Sequence, residues 1–502
     1  MSSRIDNPFI TNNSLIMRYI SKVSPYQIFQ LGIISVLIIC SILLGITQNI
    51  FLILPFLSIP FFIILLFRLQ YGIVMLIIVS TFYFLIKGFV PNKYMLPFIW
   101  RDLMLFMLFV IWFLRELSMR KFLKTIKIDS ITILVLLYLL WGFMEIFNSS
   151  SLLHGIAGFR LMVSPAIVYF VTLSTIRGRR EITLYINTIL LCVFTMAVLG
   201  IAQFLLLQLN IMTVSELYSV FPFNRIYSEK EIMPMMRFGL YRVSALYGDA
   251  NHFAAILIIG ACLLLPKFLS NNTNKLKLAI IMGGLIAAIL FSGSRGGIIA
   301  LLLNILILIS ISFKMKKKLS RGEILIILLI CLFLIFSHRY LKEFYKPVMT
   351  GQEAYYGGVS YAWNLVKDLM HNARTLMIGN GYALTKSMAE RLGIDVGLFD
   401  MGRYEVFYFG MLIQLGVIGT LIFILMNIAV LGKTWRNIGG ISLDTNYDFR
   451  KEINVSIFIF VCYALFYGIH YAIWTVVGPD YCFYILLAVA SRLATCDRKE
   501  MA

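Results

Sequence analysis

Residues 184–209 read LYINTILLCVFTMAVLGIAQFLLLQL, an apolar run without a single charged side chain. As a helix rising about 1.5 Å per residue, it exceeds the roughly 30 Å hydrocarbon thickness of a bilayer. Arg177, Arg179 and Arg180 stand before it, and a long, more polar stretch follows to residue 249. Arginines at one end only predict a membrane-spanning helix whose start is held in the cytoplasm.

The pattern repeats along the chain. Apolar runs near 27–46, 49–67, 70–90, 98–114, 128–147, 152–173, 184–209, 250–269, 276–292, 296–313, 322–338, 404–431, 453–474 and 478–494 predict an all-α polytopic membrane protein of about fourteen transmembrane helices. Of the 502 residues, 60% are hydrophobic and 14% charged, which excludes a water-soluble fold. The 44 Lys and Arg against 24 Asp and Glu give a net charge of +20. That excess does not indicate nucleic-acid binding. The basic clusters, among them Arg115/Arg120/Lys121/Lys124/Lys127, Lys314/Lys316/Lys317/Lys318 and Lys433/Arg436/Arg450/Lys451, occupy alternate connections, as in segments held on the cytoplasmic side. Both termini fall on that side.

The expected organisation is a cytoplasmic tail over 1–27, a membrane domain over 28–338, an extracytoplasmic cap over 339–403, further membrane helices over 404–494 and a cytoplasmic tail over 495–502. The run from Ile28 reads as a retained first span, since no small-residue cleavage site follows an h-region. The connections 210–249 and 339–403 are too long for turns. The second holds an amphipathic stretch, Val359 to Met370, and Gly379-Asn380-Gly381, which suit a subdomain folded over a membrane cavity. Cys40, Cys192, Cys262, Cys331, Cys462 and Cys482 lie inside apolar runs and Cys496 in the basic tail, with no CxxC and no Cys/His cluster. No disulfide framework, metal or other cofactor is expected.

With topology assigned, the unusual polar residues gather at the outer face. Arg160 lies a little inside the outer end of its span, with pairing to a neighbour such as Glu145 as its structural alternative. Arg242, Asp249, Asn251 and His252 flank the outer start of another span. Ser294 and Arg295 sit in the turn Ser292-Gly293-Ser294-Arg295-Gly296-Gly297, where Ser294 can cap the next helix and Arg295 can snorkel to the interface. Arg403 and Glu405 open the span after the cap, and His371 and Asp480 are further candidates for substrate contact on the same side. Several arginines with one carboxylate suit transfer from a phosphate-linked donor: guanidinium forks bind phosphate oxygens and stabilise a pyrophosphate leaving group, while the carboxylate takes a proton from the attacking hydroxyl. There is no Walker loop or paired-carboxylate motif. Ser292 stands where a GxSxG elbow needs glycine before Ser294.

The stretch Arg242-Val243-Ser244-Ala245-Leu246-Tyr247-Gly248-Asp249-Ala250-Asn251-His252-Phe253-Ala254 resembles the Arg…Gly-x-x-Asn-x-x-Ala entry to a central span in the O-antigen ligase and polymerase family. Ser294-Arg295-Gly296-Gly297 resembles that family's Ser-Arg-Gly turn. Gly379-Asn380-Gly381-Tyr382, Glu405-Val406-Phe407-Tyr408 and Gly416-Val417-Ile418-Gly419 resemble its large outer loop and following helix. The likeness covers roughly residues 235–430. It implies a fold similar to type C glycosyltransferases and a metal-independent enzyme of the bacterial cytoplasmic membrane using undecaprenyl-pyrophosphate-linked glycans, with Arg242 and Arg295 on the donor pyrophosphate. Ligases of the family have His-Asn-x-Tyr before the Gly-x-x-Gly helix, and Glu405-Val406-Phe407-Tyr408 replaces that His and Asn here.

An acidic residue there is similar to the polymerase branch. The expectation is thus a polymerase of O-antigen, capsule or exopolysaccharide, with Arg160, Arg242 and Arg295 on the pyrophosphate, Glu405 as base and Asn251 as a positioning hydrogen-bonder. A ligase with another acceptor is the near alternative, and a lipid-linked oligosaccharide flippase or other transporter the alternative from another class. Expected partners are lipid-linked oligosaccharides, membrane lipid, a chain-length regulator and a flippase.

Overall fold

A computed structural model describes residues 68–83, 96–118, 128–214, 216–217, 236–237, 240–247, 249–269, 275–314, 367, 372–382, 407–439, 449–470 and 479–495. All lie in the second of the two units into which the chain divides, Met1–Ile59 and Pro60–Ala502. The expected spans 27–46, 49–67 and 322–338 and most of the expected cap lie outside the described residues, as do His371, Arg403 and Glu405.

Among the described residues the fold is helical: α1 Leu69–Thr81, α2 Leu96–Ser118, α3 Ser130–Asn148, α4 Leu152–Thr175, α5 Arg179–Gln208, α6 Ala250–Leu264, α7 Lys275–Phe291, α8 Arg295–Lys314, α9 Ala373–Ile378, α10 Phe407–Gly439, α11 Phe449–His470 and α12 Pro479–Thr495. Apart from the short α9, each corresponds to an expected span. Among the described residues six stretches are long and apolar enough to cross a membrane, including α3, α4 and α5. The chain is a polytopic helical membrane protein. One small departure is an antiparallel pairing of Met236–Arg237 with Leu240–Tyr241 inside the long connection before α6.

The helix starts are set by local chemistry. The Asp129 side chain accepts from Thr132 N–H at the start of α3, Ser151 does the same for His154 N–H in α4, and Asp249 accepts from the N–H groups of Asn251 and His252 in α6. Each cap satisfies donors that a bilayer would leave unpaired. From Phe253 to Leu264 every residue of α6 is buried, so this helix sits in the middle of its neighbours α5, α7, α8 and α11. Small residues permit the close approach. A Cβ on Gly260 would stand 2.4 Å from Val193 Cγ1 of α5, and one on Gly200 would stand 2.3 Å from the Phe253 ring of α6.

Helix α10 is broken at Gly416, where φ is +63°. Three successive carbonyls just before the break are met from outside the helix: Ile413 O accepts from Asn380 N–H at 2.8 Å, Gln414 O from Gly381 N–H at 3.1 Å and Leu415 O from Trp141 Nε1–H at 2.9 Å. Irregular backbone at membrane depth persists where its polar groups are repaired in this way. The Gly379-Asn380-Gly381-Tyr382 stretch is therefore more than a tight turn. Gly379 (φ +87°) and Gly381 (φ +75°) let it lie against α10 and Ser149, Tyr382 N–H donates to Ser149 Oγ at 2.8 Å, and the Tyr382 hydroxyl donates to Gly142 O at 3.1 Å.

Candidate functional site

The segment leading into α6 is pinned by residues distant in sequence. Val243 N–H donates to Phe291 O at 3.1 Å, and Gln203 Oε1, in the last turns of α5, accepts from Ser244 N–H at 3.2 Å and Ala245 N–H at 3.0 Å. Ala245 has φ +46°, a left-handed conformation unusual for a residue with a Cβ. The shared acceptor helps hold it. Sequence analysis did not single out Gln203; a buried amide inside an otherwise apolar span was the available signal.

This pinning lays Arg242 across the turn between α7 and α8. Its Nε–H donates to Ser292 O at 3.1 Å, which fixes the plane of the guanidinium. Gly293 beneath it has φ +59°, and a Cβ there would lie 2.9 Å from Arg242 Cγ. Ser294 Oγ donates to Asn251 Oδ1 at 3.0 Å and accepts from Gly297 N–H at 3.3 Å, so it both caps α8 and joins α8 to α6. Gly297 brings the two helices together, since a Cβ there would meet Ala254 Cβ at 2.8 Å. The Tyr467 hydroxyl of α11 closes the group by donating to Asn251 O at 3.3 Å.

Two helix N-termini, those of α6 and α8, thus start side by side with Arg242 across them and Arg295 as the first residue of α8. The positive ends of both dipoles and two guanidinium groups favour an anion, with Asp249 as the nearest opposing charge in this segment.

Arg160 is placed differently. Its Nη1 lies 2.9 Å from Asp102 Oδ2, while Arg101 of the same helix as Asp102 places Nη2 2.9 Å from the other oxygen, Oδ1. Glu145, the structural alternative considered as a partner for Arg160, instead accepts from Asn148 Nδ2 at 3.0 Å. Asp480 is buried at the start of α12, where Oδ1 accepts from Tyr481 N–H at 2.7 Å, and its charge acts on Arg101. Tyr247, in the segment that leads from Arg242 into α6, is fully buried and feels the Asp480 charge. Burial pushes its hydroxyl well above the ordinary range, and the nearby Cys482, Cys192 and Asp480 add to this. Asp102 and Arg101 are functional candidates that sequence analysis missed: the pair reads as the charged end of an amphipathic helix until α4 is placed beside it.

An all-helical membrane protein with a cationic site where two helices begin defines the class. Residues 278–424, from α7 into α10, match the family model described as O-antigen ligase. This part of the chain is similar to the domain that model describes, in agreement with the motif resemblance. Arg295, Gly379–Tyr382 and the α10 break fall inside the match, whereas Arg242, Asn251 and Gln203 precede it. No curated protein matches the chain.

Proposed function

We propose that the chain is a polysaccharide polymerase of the outer face of the bacterial cytoplasmic membrane, acting on undecaprenyl-pyrophosphate-linked glycans. The observation that supports this is the meeting of two helix N-termini, Arg242 and Arg295 on one turn, a charge arrangement suited to a pyrophosphate. In the reaction, a hydroxyl of the incoming lipid-linked repeat unit attacks the anomeric carbon of the growing glycan. The new C–O bond forms as the bond to the pyrophosphate breaks. The hydroxyl proton passes to the Glu405 carboxylate, and undecaprenyl pyrophosphate leaves with its added negative charge stabilised by the two guanidinium groups. Asn251 is held by Ser294, the residue before Arg295.

The resemblance of Glu405-Val406-Phe407-Tyr408 to the polymerase branch, with an acid in the place of the ligases' histidine, supports chain extension over transfer to another acceptor. Both substrates are anchored in the same membrane, which removes part of the entropic barrier. Glu405→Gln tests the assignment because it keeps the shape and removes the basic oxygen. Purified variant given lipid-linked repeat units, without added divalent metal, should bind donor normally and lose roughly 10²–10⁴-fold in extension rate. Extension above about a tenth of the normal rate excludes Glu405 as the essential base.

A further inference from the structure

The charges at the outer ends of the helices are not of one kind. Around Ser294 the described charged residues at the two helix starts are Arg242, Asp249 and Arg295, so that group is net positive. The second group, Arg101, Asp102, Arg160 and Asp480, sums to zero. Asp102 divides its carboxylate between two arginines, with Oδ1 receiving Arg101 Nη2–H and Nε–H at 2.9 and 3.1 Å and Oδ2 lying 2.9 Å from Arg160 Nη1. Arg101 is 6% exposed and lies 5.4 Å over the Tyr83 ring, so it is a fixed support. Arg160 and Asp102 are the open part, with side chains 33% and 19% exposed. Arg160 Nε and Asp102 Oδ2 are themselves buried and without an aligned hydrogen-bond partner among the described residues, so the exposed surface of the pair lies on the remaining atoms of the two side chains.

A half-open ion pair about two turns inside α4 is expensive against lipid tails, so it faces water or substrate. Its neutral sum makes it a poor partner for a pyrophosphate. A guanidinium and a carboxylate held side by side instead present donors and acceptors together, which is what neighbouring sugar hydroxyls, each both donor and acceptor, require.

We propose that the Asp102–Arg160 pair is a glycan-binding subsite, with Arg101 as the residue that positions Asp102, and that Arg160 contacts sugar and not the pyrophosphate. This rests on the polymerase assignment and divides its substrate between two places: lipid-proximal phosphates at Arg242 and Arg295, and sugar at Asp102 and Arg160.

The test compares two probes on purified full-length protein: undecaprenyl pyrophosphate without sugar, and the lipid-linked repeat unit extracted from the producing strain. Asp102→Asn should weaken binding of the glycan-bearing probe about ten- to hundredfold, the loss expected for hydrogen bonds to a charged group, and leave the sugar-free probe within about twofold. Asp102→Glu should recover part of the loss. Arg160→Gln gives the same comparison from α4 should Asp102→Asn not fold. Equal weakening of both probes, or of neither, overturns the subsite. Wild-type protein that binds neither probe overturns the polymerase assignment itself, and the subsite with it.

Discussion

At the scale of single residues, the site depends on side chains that bind backbone. Gln203 lies in the apolar run that decides the fold, yet its amide oxygen is the acceptor for Ser244 N–H and Ala245 N–H. Gln203→Leu keeps much of the volume and leaves two buried donors unmet, at about 1–3 kcal/mol each. Thermal unfolding in detergent should show a clearly lower midpoint, whereas Gln208→Leu, at an exposed position of the same helix, should not. Equal midpoints would contradict the pinning role. Gly293→Ala adds a Cβ 2.9 Å from Arg242 Cγ at φ +59°, so Arg242 must move. Polymer formation should fall about 5- to 150-fold, the range that a strain of about 1–3 kcal/mol at the proposed donor site corresponds to. Gly284→Ala, with nothing within 4 Å of the added atom, should be silent. The sequence showed Arg242, Asn251 and Arg295 because polar residues gathered at the starts of apolar runs are conspicuous. Gln203 escaped because a lone amide in a span reveals neither its direction nor its partner, and Asp102 because its neighbour Arg101 already accounts for its charge.

At the scale of elements, spans were legible from hydropathy, and the Ser294 cap from its local position. The break in α10 was not, because its stability depends on Asn380, Gly381 and Trp141, which are remote in sequence from Gly416. Gly416→Ala would force φ +63° on alanine with its Cβ 2.4 Å from Met377 O. Hydrogen exchange at the Asn380 and Gly381 amides should accelerate in that variant and stay slow in Gly283→Ala, whose added atom meets nothing within 4 Å. The opposite helix ends are tied at Asp129, which pairs with Lys433 of α10 and accepts from Ser491 Oγ of α12 at 2.8 Å. Burial by itself would raise the Asp129 pKa, but Lys433, Thr132 and Ser491 outweigh it and hold the carboxyl below its ordinary value. A depressed folded-state pKa stabilises above the unfolded value and loses that contribution as pH falls through the folded one. Acidification below about pH 4 should therefore lower the unfolding midpoint of wild type more than that of Asp129→Asn.

At the scale of the whole molecule, the helix ends sort into two sets. Asp129, Lys433, Ser491 and Arg450, which donates to Leu493 O, mark one. Ser149, Gly381, Arg242, Asn251 and Ser294 mark the other. The basic connections flank the first set, which we assign to the cytoplasm. Reporter fusions at Lys317 and Gly381 should accordingly give opposite signals, and the same signal would remove the outer-face assignment. Chain extension at the outer set would be read from product length. Purified protein in lipid, supplied only with lipid-linked repeat units from the producing strain, should yield a ladder of longer lipid-linked glycans and release undecaprenyl pyrophosphate in step. Repeat units that remain single, yet are transferred when a lipid A core is added, would contradict the polymerase assignment and identify a ligase.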